Sequence, residues 1–486
     1  MQPFNFAPVE LEWSAILPMV VVALTGILAM IIDLIWPKRT NNAIVATCLV
    51  GLLAAAGCAV LQLTLSPLDT AGGMVIMDRF STTMTLVLLS ASFIAVLFSE
   101  GYLREKRIPY SEFYFLFMWS TLGGLVMCST KNLLMVFLGV EVLSIALYVL
   151  AGLSRNEEKS EESALKYFFL GAFASAFLLY GMAFFYGASG SLQLEGLARA
   201  WDLNGPGMRA MILMGLALVL IGLGFKASWV PFHQWTPDVY QGAPTNVVAF
   251  MATGAKVAPI AILWRVLDAN SALAPTFVPA LSVIAILTMT VGNLAALAQK
   301  DIKRVLGYSS IAHGGYILVG ILAHIQSPDK VGFETVAYYL FGYTFMTVGA
   351  FAVISMCAKE GAEGTQLKDL YGLFKRAPLA AAAMVIFMAS LIGIPPTVGF
   401  FGKFQIFNDA MSAGLVPLAI ALAINSIIST FYYLSIAKAA FVEDDEQVHP
   451  TSAFHPGLAV ACALCIAGVI GVGVFVEAVR NLVAIR

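Results

Sequence analysis

Charged side chains are scarce in this sequence. Only 12% of the 486 residues are Asp, Glu, Lys or Arg, and 60% are hydrophobic, whereas about a quarter of a soluble domain is charged. This balance excludes an ordinary soluble globular protein and predicts an all-α membrane protein. The net charge of −2 averages the two faces of a bilayer and identifies no partner. We expect contact with lipid and no binding of nucleic acid.

Signatures of cofactor and metal chemistry are also missing. The six cysteines form no iron–sulfur run, and the CxxC pair Cys462/Cys465 lies in an apolar segment without a second pair or a nearby histidine, so packing is the simpler interpretation. The sequence contains no P-loop. Gly222–Ala227 matches the dinucleotide pattern GxGxxA, but inside an apolar helix with no preceding strand. We therefore expect no cofactor and no metal in this chain.

Long apolar runs are abundant. Spanning a bilayer takes roughly 20 apolar residues. The first run is too long for a signal peptide and no basic stretch precedes it, so we expect neither a cleavable signal nor an organelle transit peptide. Fourteen runs fit spans, at 13–36, 43–65, 81–98, 112–128, 131–153, 164–187, 208–231, 246–267, 277–298, 302–325, 334–357, 378–406, 414–440 and 456–479.

Lysines and arginines predict the orientation. An even number of spans places both termini on one side, and the loops of the opposite side, such as 104–107 and 300–304, carry more Lys and Arg. This excess marks the inner face. We predict a multi-pass protein of the bacterial cell inner membrane with both termini on the periplasmic side. The inner loop at 358–377 has the pattern of a short amphipathic helix. The acidic stretch 443–447 is most simply interpreted as a solvated loop.

Two spans combine helix-breaking residues with a lysine. Lys226 lies in GLGFKASWVPFHQWTPDVYQGAPT (222–245), and Lys403 lies in GIPPTVGFFGKFQI (393–406). Broken backbone at membrane depth persists only when it packs in protein or lines a wet cavity, and a pair of interrupted helices is typical of transporters built from repeats. Spans 4–8 and 9–13 are the predicted units. The predicted divisions are an N-terminal segment 1–110, repeats 111–268 and 269–442, and a C-terminal helix 443–486.

Glu141 is the only charged residue of the stretch NLLMVFLGVEVLSIALYVLAGL (132–153). A carboxylate there should face the bundle interior and find a partner, and Lys226 is a suitable cation. In general, burial disfavours the charged form of an acid or an amine, and pairing restores it. A Glu–Lys pair at mid-membrane is therefore close to a protonation switch, which is the chemistry of a proton pump. The alternative is a static pair that helps the helices pack.

Three further residues extend this pattern. Lys256 is central in its span, and lysine suits proton transfer because its stem is flexible. His313 lies among Ser309, Ser310 and Tyr316 and is placed to relay protons between Lys256 and Lys403; the alternative is a histidine bonded within the core. Lys166 lies near a helix start, where it either joins the path or extends to the membrane surface.

Five stretches together resemble the antiporter-like membrane subunits of proton-pumping NADH:quinone oxidoreductase, respiratory complex I. They are GFKASWVPFHQWTPDVYQGAPT, ATGAKVA (252–258), DIKRVLGYSSIAHGGYIL (301–318), DLYGLFKRAP (369–378) and SLIGIPPTVGFFGKFQIF (390–407). The resemblance covers nearly the whole chain. WTPDVYQGAP and ATGAKVA are most similar to the N-type members, and the chain has no room for the long lateral helix of the L type.

The resemblance implies fourteen transmembrane helices, two inverted five-helix repeats and broken helices 7 and 12. It also implies a hydrated polar axis at mid-depth, with neighbouring antiporter-like and small membrane subunits as partners. Flavin, iron–sulfur clusters and quinone would belong to other subunits. By resemblance, proton-path roles fall on Glu141, Lys226, Lys256, Lys403, Lys166 and, less directly, His313.

Three functions remain open at this point. The first is a proton-translocating subunit of complex I that catalyses no redox step itself. The second is a subunit of a multisubunit cation/proton antiporter, or of a related complex with another electron donor, because these share the fold. The third is a structural scaffold, against which the number of buried lysines argues.

Overall fold

A computed structural model describes residues 10–37, 42–108, 110–155, 157–203, 205–357, 363–442 and 455–483. The described chain is helical apart from its turns and one small hairpin. Its strands β1 (Leu68–Thr70) and β2 (Val75–Met77) pair antiparallel, with Asp69 opposite Ile76. The acidic stretch 443–447 lies outside the described residues.

The first eight helices are separated by short connections. They are α1 (Trp13–Ile35), α2 (Asn42–Gln62), α3 (Arg79–Glu105), α4 (Tyr110–Cys128), α5 (Leu133–Ala151), α6 (Glu158–Ser189), α7 (Gly196–Leu203) and α8 (Pro206–Lys226). Helix α3 begins with a capping box, in which Asp78 accepts from the Ser81 N–H and the Ser81 hydroxyl accepts from the Asp78 N–H. Helix α7 lies in the connection between α6 and α8.

The remaining helices include several short ones. They are α9 (Trp235–Gly242), α10 (Thr245–Ala252), α11 (Gly254–Ala269), α12 (Ala274–Leu297), α13 (Ile302–Gln326), α14 (Glu334–Ser355), α15 (Leu373–Arg376), α16 (Pro378–Ile392), α17 (Val398–Ser412), α18 (Val416–Phe441), α19 (Pro456–Val474) and α20 (Val476–Val483). The predicted amphipathic helix at 358–377 is not continuous. A 3₁₀ turn at Leu367–Leu370 and the single turn α15 are separated by Gly372, whose φ of 68° favours glycine.

Among the described residues, twelve helices are long and apolar enough to cross a membrane. The prediction of an all-α membrane protein is confirmed. The other two predicted spans correspond to α4 and to the interrupted pair α16–α17. The total of fourteen spans and the inverted repeats stay predictions.

The centre of the bundle is formed by α10, α11, α13 and α14. The most apolar stretch of Thr245–Ala269 is fully buried, and 94% of that of α13 is buried, whereas the corresponding figure for α1 and α6 is 33%. Peripheral helices expose large apolar side chains, as lipid-facing surfaces do. Residues on α11 and α13 therefore lie in the middle of the protein.

Three interruptions shape this centre. Helix α8 ends at Lys226, and a turn of eight residues leads into α9. Helix α16 ends at Ile392, and α17 begins at Val398. Both breaks were predicted from proline and glycine. A third break at Thr253, between α10 and α11, was not predicted; the only local signal for it is Gly254.

Candidate functional site

Lys226 is the last residue of α8, and its ammonium group is enclosed by aromatic side chains. Its Nζ donates to the Tyr148 hydroxyl at 3.3 Å and lies 5.2, 5.1 and 5.6 Å from the ring centres of Tyr148, Tyr167 and Phe225. The residue is 7% exposed. Ring faces attract a cation without neutralising it, so the site holds a positive charge while leaving it available to a carboxylate.

Glu141 lies on the same helix as Tyr148, two turns earlier. Glu141, Ser144 and Tyr148 follow the i, i+3, i+7 spacing of one helical face. In the described chain, the Glu141 Oε1 atom is buried without a hydrogen-bond partner, and no Glu141 oxygen lies within the 4.0 Å ion-pair distance of the Lys226 Nζ. The expected direct pair is therefore not made in this structure, in which the Lys226 Nζ donates to the Tyr148 hydroxyl.

Lys256 begins a second site, one turn into α11 after the break at Thr253. Its Nζ donates to the Ser310 carbonyl at 2.7 Å and to the Ser310 hydroxyl at 2.6 Å, and the residue is 2% exposed. The Tyr240 hydroxyl lies 3.5 Å from the Ser310 hydroxyl. Residues of α9, α11 and α13 thus meet at this lysine.

His313 lies three residues after Ser310 on α13, within a group of tyrosines. Its Nδ1 is 2.7 Å from the Tyr339 hydroxyl, and its Nε2 is 3.1 Å from the Tyr433 hydroxyl, which also bonds Ser309. A neutral imidazole donates through one nitrogen and accepts at the other. Rotation of the two hydroxyls would exchange these roles, and this is the elementary step of a proton relay.

Lys403 lies on α17, and its side chain caps the C-terminal end of α16, which is the other half of the same interrupted helix. Its Nζ donates to the carbonyls of Leu391 and Ile392 at 2.7 and 3.0 Å and to the Ser426 hydroxyl at 3.2 Å. These carbonyls end α16, where a helix leaves acceptors without intrahelical donors and carries negative partial charge. The break therefore creates the acceptors that hold this lysine.

A polar cluster between His313 and Lys403 was missed in the sequence. The Asn293 amide donates to the Tyr316 hydroxyl at 3.1 Å and accepts from the Tyr432 hydroxyl at 2.9 Å. The Lys403 Nζ lies 5.3 Å from the Tyr316 ring centre. The sequence signal that could have revealed this cluster is the presence of asparagines and tyrosines inside apolar spans. A buried polar group requires a hydrogen-bond partner, so such residues indicate that polar side chains meet between the helices.

Lys166 is separate from these groups. Its Nζ forms ion pairs with Asp238 and Glu162, both at 2.7 Å, and its side chain is 41% exposed. Asp238 also pairs with Arg304 at 2.5 Å. Burial raises the pKa of Asp238, but Lys166 and Arg304 together hold that pKa below its usual value. The structure therefore places Lys166 in a surface-connected charge cluster.

A second charge cluster, which is buried, surrounds Glu363 in the connection between α14 and α16. Its carboxylate accepts from Lys303 at 3.2 Å, from Lys106 at 3.2 Å and from the hydroxyls of Tyr102 and Thr245 at 2.7 and 2.8 Å. Both lysines were predicted to lie in inner loops, and the side chains of Lys303 and Lys106 are 0% and 2% exposed. Burial raises the pKa of Glu363, but these lysines and hydroxyls lower it to about 2.

His233 lies in the turn after Lys226, and its Nδ1 is buried without a hydrogen-bond partner. Among the described residues, no three His, Cys, Asp or Glu side chains are grouped to hold a metal ion. Cys462 and Cys465 are buried on α19. The chemistry that these groups support is the movement of protons and charge.

Residues 130–429 match the protein family described as NADH:quinone oxidoreductase/Mrp antiporter, TM. The chain is 44% identical over 391 residues to NADH-quinone oxidoreductase subunit N 1 of Sorangium cellulosum (strain So ce56), covering 78% of this chain and 77% of that protein. It is 39% identical over 435 residues to NADH-quinone oxidoreductase subunit N of Trichlorobacter lovleyi (strain ATCC BAA-1151 / DSM 17278 / SZ), covering 89% and 88%.

The chain also resembles solved structures in its fold. A chain of respiratory complex I from Thermus thermophilus with bound aureothin superimposes with a TM-score of 0.82 at 35% identity, covering 96% of this chain and 99% of that one. A chain of the Mrp complex from Dietzia sp. DQ12-45-1b shares the fold, with a TM-score of 0.83 at 20% identity and coverage of 97% and 96%. The resemblance inferred from the sequence is thus confirmed, and the chain belongs to the NADH:quinone oxidoreductase/Mrp antiporter membrane family.

Proposed function

We propose that this chain is a proton-translocating membrane subunit of NADH:quinone oxidoreductase. The observation that carries the proposal is a row of buried lysines, each held by neutral groups, together with likeness over most of the chain to subunit N relatives. Electron transfer from NADH to quinone takes place in other subunits, which hold the flavin, the iron–sulfur clusters and the quinone. The partners are the neighbouring antiporter-like subunit and the small membrane subunits.

The input step uses Glu141 and Lys226. In the structure the Lys226 Nζ donates a hydrogen bond to the Tyr148 hydroxyl, and the Glu141 Oε1 has no hydrogen-bond partner among the described residues. Movement of the flexible lysine from Tyr148 to Glu141 would pair the two charges and strengthen proton binding by the lysine. Return to Tyr148 would weaken it. A charge arriving beside Glu141 is thereby converted into a change in proton affinity at Lys226.

The middle and output steps use Lys256, His313 and Lys403. Lys256 passes a proton towards α13 through Ser310, His313 relays it between Tyr433 and Tyr339, and Lys403 releases it on the outer side. The groups belong to separate hydrogen-bonded sets within the described chain. Transfer between sets therefore proceeds by hydroxyl rotation or through intervening water. Lys166 acts at the edge of this path rather than within it.

The location is the bacterial cell inner membrane, with both termini on the periplasmic side. Two inverted repeats, 111–268 and 269–442, would place Lys226 and Lys403 in corresponding broken helices. In this arrangement the segments 1–110 and 443–486 flank the repeats. The excess of Lys and Arg in loops on the opposite side supports the orientation.

A second candidate is a subunit of a cation/proton antiporter or of a complex with another electron donor. The shared fold with the Mrp complex, and with the membrane-bound sulfane sulfur reductase at a TM-score of 0.84 and 23% identity, supports this alternative at the level of fold. The composition of the complex that co-purifies with this chain distinguishes the candidates. Flavin and iron–sulfur clusters with NADH-dependent quinone reduction favour the first, and their absence favours the antiporter.

The mechanism is tested with Lys226→Ala and Glu141→Ala in the assembled complex. We expect NADH-driven proton uptake by inverted membrane vesicles to be suppressed in both variants, because each removes one partner of the switch. The measurement compares the rate of proton uptake with the rate of quinone reduction. Lys330→Ala, an exposed loop lysine, is the matched control. If both variants assemble and pump normally, the mechanism is wrong.

A further inference from the structure

Helix α9 (Trp235–Gly242) lies between the two lysine sites of the first half of the chain. It has eight residues and is therefore about 12 Å long. Its first residue contacts the Lys226 site, Tyr240 contacts the Lys256 site, and Asp238 between them is the only charged residue of the helix. A helix this short moves as one rigid body, so a displacement of the helix at one of these contacts is transmitted to the others.

The contact with the Lys226 site is made by Trp235. The Trp235 Nε1 donates to the Phe225 carbonyl at 2.9 Å, at the end of α8. Its ring stacks on Tyr167, with ring centres 4.7 Å apart and planes inclined by 22°. Tyr167 and Phe225 are two of the three rings around the Lys226 ammonium. The position of α9 therefore determines the shape of this aromatic enclosure.

The contact with the Lys256 site is made by Tyr240. Its hydroxyl lies 3.5 Å from the Ser310 hydroxyl, which accepts the hydrogen bond from the Lys256 Nζ. A hydroxyl that accepts from a lysine has its own proton free to donate to a further acceptor. The orientation of Tyr240 thus bears on whether Ser310 can accept from Lys256.

Asp238 anchors α9 to the two helices that complete these sites. It pairs with Lys166 of α6 at 2.7 Å and with Arg304 of α13 at 2.5 Å. Helix α6 also carries Tyr167, which is adjacent to Lys166, and α13 also carries Ser310. Arg304 donates in addition to the Gln241 side chain at 3.2 Å. One carboxylate therefore connects α9 to α6, which contributes to the Lys226 site, and to α13, which contributes to the Lys256 site.

We propose that Asp238 is a positioning residue that, through α9, couples the Lys226 site to the Lys256 site. This inference rests on the proposed proton-translocating function. A lysine that changes partner at one site moves the rings against which Trp235 packs, and the anchored helix transmits the movement to Tyr240. Without the anchor, α9 relaxes and the two sites lose their coupling. Asp238 itself carries no proton in this role.

The test is Asp238→Asn in the complete complex, in inverted membrane vesicles. The amide keeps the shape of the side chain but cannot hold two cations. We expect quinone reduction to continue, and the number of protons taken up per electron to fall by at least half of the fall seen in Lys226→Ala. Asp238→Glu should restore the ratio, because it restores the charge. Arg304→Gln should lower the ratio as well, because it frees α9 from α13.

Glu162→Gln is the matched control. It removes the other ion-pair partner of Lys166 and leaves the Asp238–Arg304 pair in place, so we expect the wild-type ratio. A purely structural role of Asp238 would reduce the amount of assembled complex without changing protons per electron, and that result, or a wild-type ratio in Arg304→Gln, overturns the proposal. A normal ratio in Lys226→Ala contradicts the proposed function instead, so the two failures are distinguishable.

Discussion

The three central lysines are held by neutral groups. In the described structure the hydrogen-bond acceptor of Lys226 is a tyrosine hydroxyl, those of Lys256 are the carbonyl and hydroxyl of one serine, and those of Lys403 are two carbonyls and a serine hydroxyl. A lysine locked to a buried carboxylate would stay charged. The dipoles of hydroxyl and carbonyl groups stabilise an ammonium group less than the charge of a carboxylate does. These three lysines therefore keep the ability to lose a proton.

The residue-scale prediction concerns Tyr148. Tyr148→Phe keeps the ring beside Lys226 and removes the hydroxyl that accepts from its Nζ. A hydrogen bond to a charged group contributes about 1.5–3 kcal/mol. We expect proton uptake per electron to fall, but less than in Lys226→Ala, because the ring faces still attract the cation. The measurement is proton uptake by inverted vesicles at constant quinone-reductase rate.

Tyr180→Phe is the control for this variant, because Tyr180 is 60% exposed on α6. Proton uptake in the control should match that of the wild type. A Tyr148→Phe complex with unchanged proton uptake would show that the hydroxyl is not the alternative partner of Lys226.

At the scale of elements, the ends of broken helices are secured by partners from distant parts of the chain. Lys303 donates to the carbonyl of Ala243, at the C-terminal end of α9, and the Thr245 N–H at the start of α10 donates to the Tyr102 hydroxyl. Glu363 binds Lys303, Tyr102 and Thr245 together. The connection that carries Glu363 is in turn fixed to the start of α13 by the Ile302 N–H, which donates to the Thr365 carbonyl at 2.7 Å. The α9–α10 junction is thus stabilised by the Lys303–Glu363 ion pair and by hydrogen bonds to these charged groups.

The element-scale prediction is that Glu363→Gln loosens this connection. Removing one partner of a buried ion pair costs about 3–5 kcal/mol, because Lys303 remains without its anion. We expect faster alkylation of Cys357, which is buried where α14 ends. The measurement is peptide mass spectrometry of the assembled complex after timed exposure to iodoacetamide. Glu334→Gln, at the opposite end of α14, is the control and should alkylate at the wild-type rate.

The pH dependence of this effect has a defined sign. The pKa of Glu363 is about 2 in the folded chain and about 4.3 in an unfolded chain. Its stabilisation is therefore fully present above the unfolded value and is lost as the pH falls through the folded value. The ratio of the Cys357 alkylation rates in Glu363→Gln and wild type should be constant from pH 5 to pH 8, although both rates rise with pH because iodoacetamide reacts with the thiolate. A ratio that approaches one near neutral pH contradicts a permanently ionised Glu363.

At the scale of the whole molecule, the polar residues form a row across the bundle. Glu141 is partly exposed on α5, on the same helix face as the exposed Leu138 and Ile145. Lys403 is on α17, beside the exposed Phe404. Lys256 and His313 lie between, on the most buried helices. Lys256, His313 and Lys403 are buried, which keeps these polar groups away from the lipid, whereas Glu141 is partly exposed.

The whole-molecule prediction concerns orientation. Ser412→Cys, at the C-terminal end of α17, should react with a membrane-impermeant maleimide in intact cells, because this end of α17 shares the predicted outer side with the termini. Ala298→Cys, between α12 and α13, should react only in inverted vesicles. Both positions are exposed, and the unchanged chain controls for native cysteines. The reverse labelling pattern would contradict the predicted topology.

Much of the candidate site could be predicted from the sequence because lysine inside an apolar span is a local signal. Lys226, Lys256 and Lys403 were identified that way, and all three are buried. The proline and glycine runs after Lys226 and before Lys403 located two helix breaks. Lys303 could not be identified, because its neighbours in the chain resemble a solvated loop and its burial depends on Glu363, 60 residues away.

The sequence by itself determined that the chain spans a membrane as helices and where two of those helices break. Both properties depend on runs of neighbouring residues, since an apolar run must hydrogen-bond its own backbone in lipid and proline cannot continue a helix. Only the tertiary structure decided which groups hold the lysines and the histidine. Ser310 is 54 residues from Lys256, and Tyr433 is 120 residues from His313, so these contacts exist only because distant helices pack together.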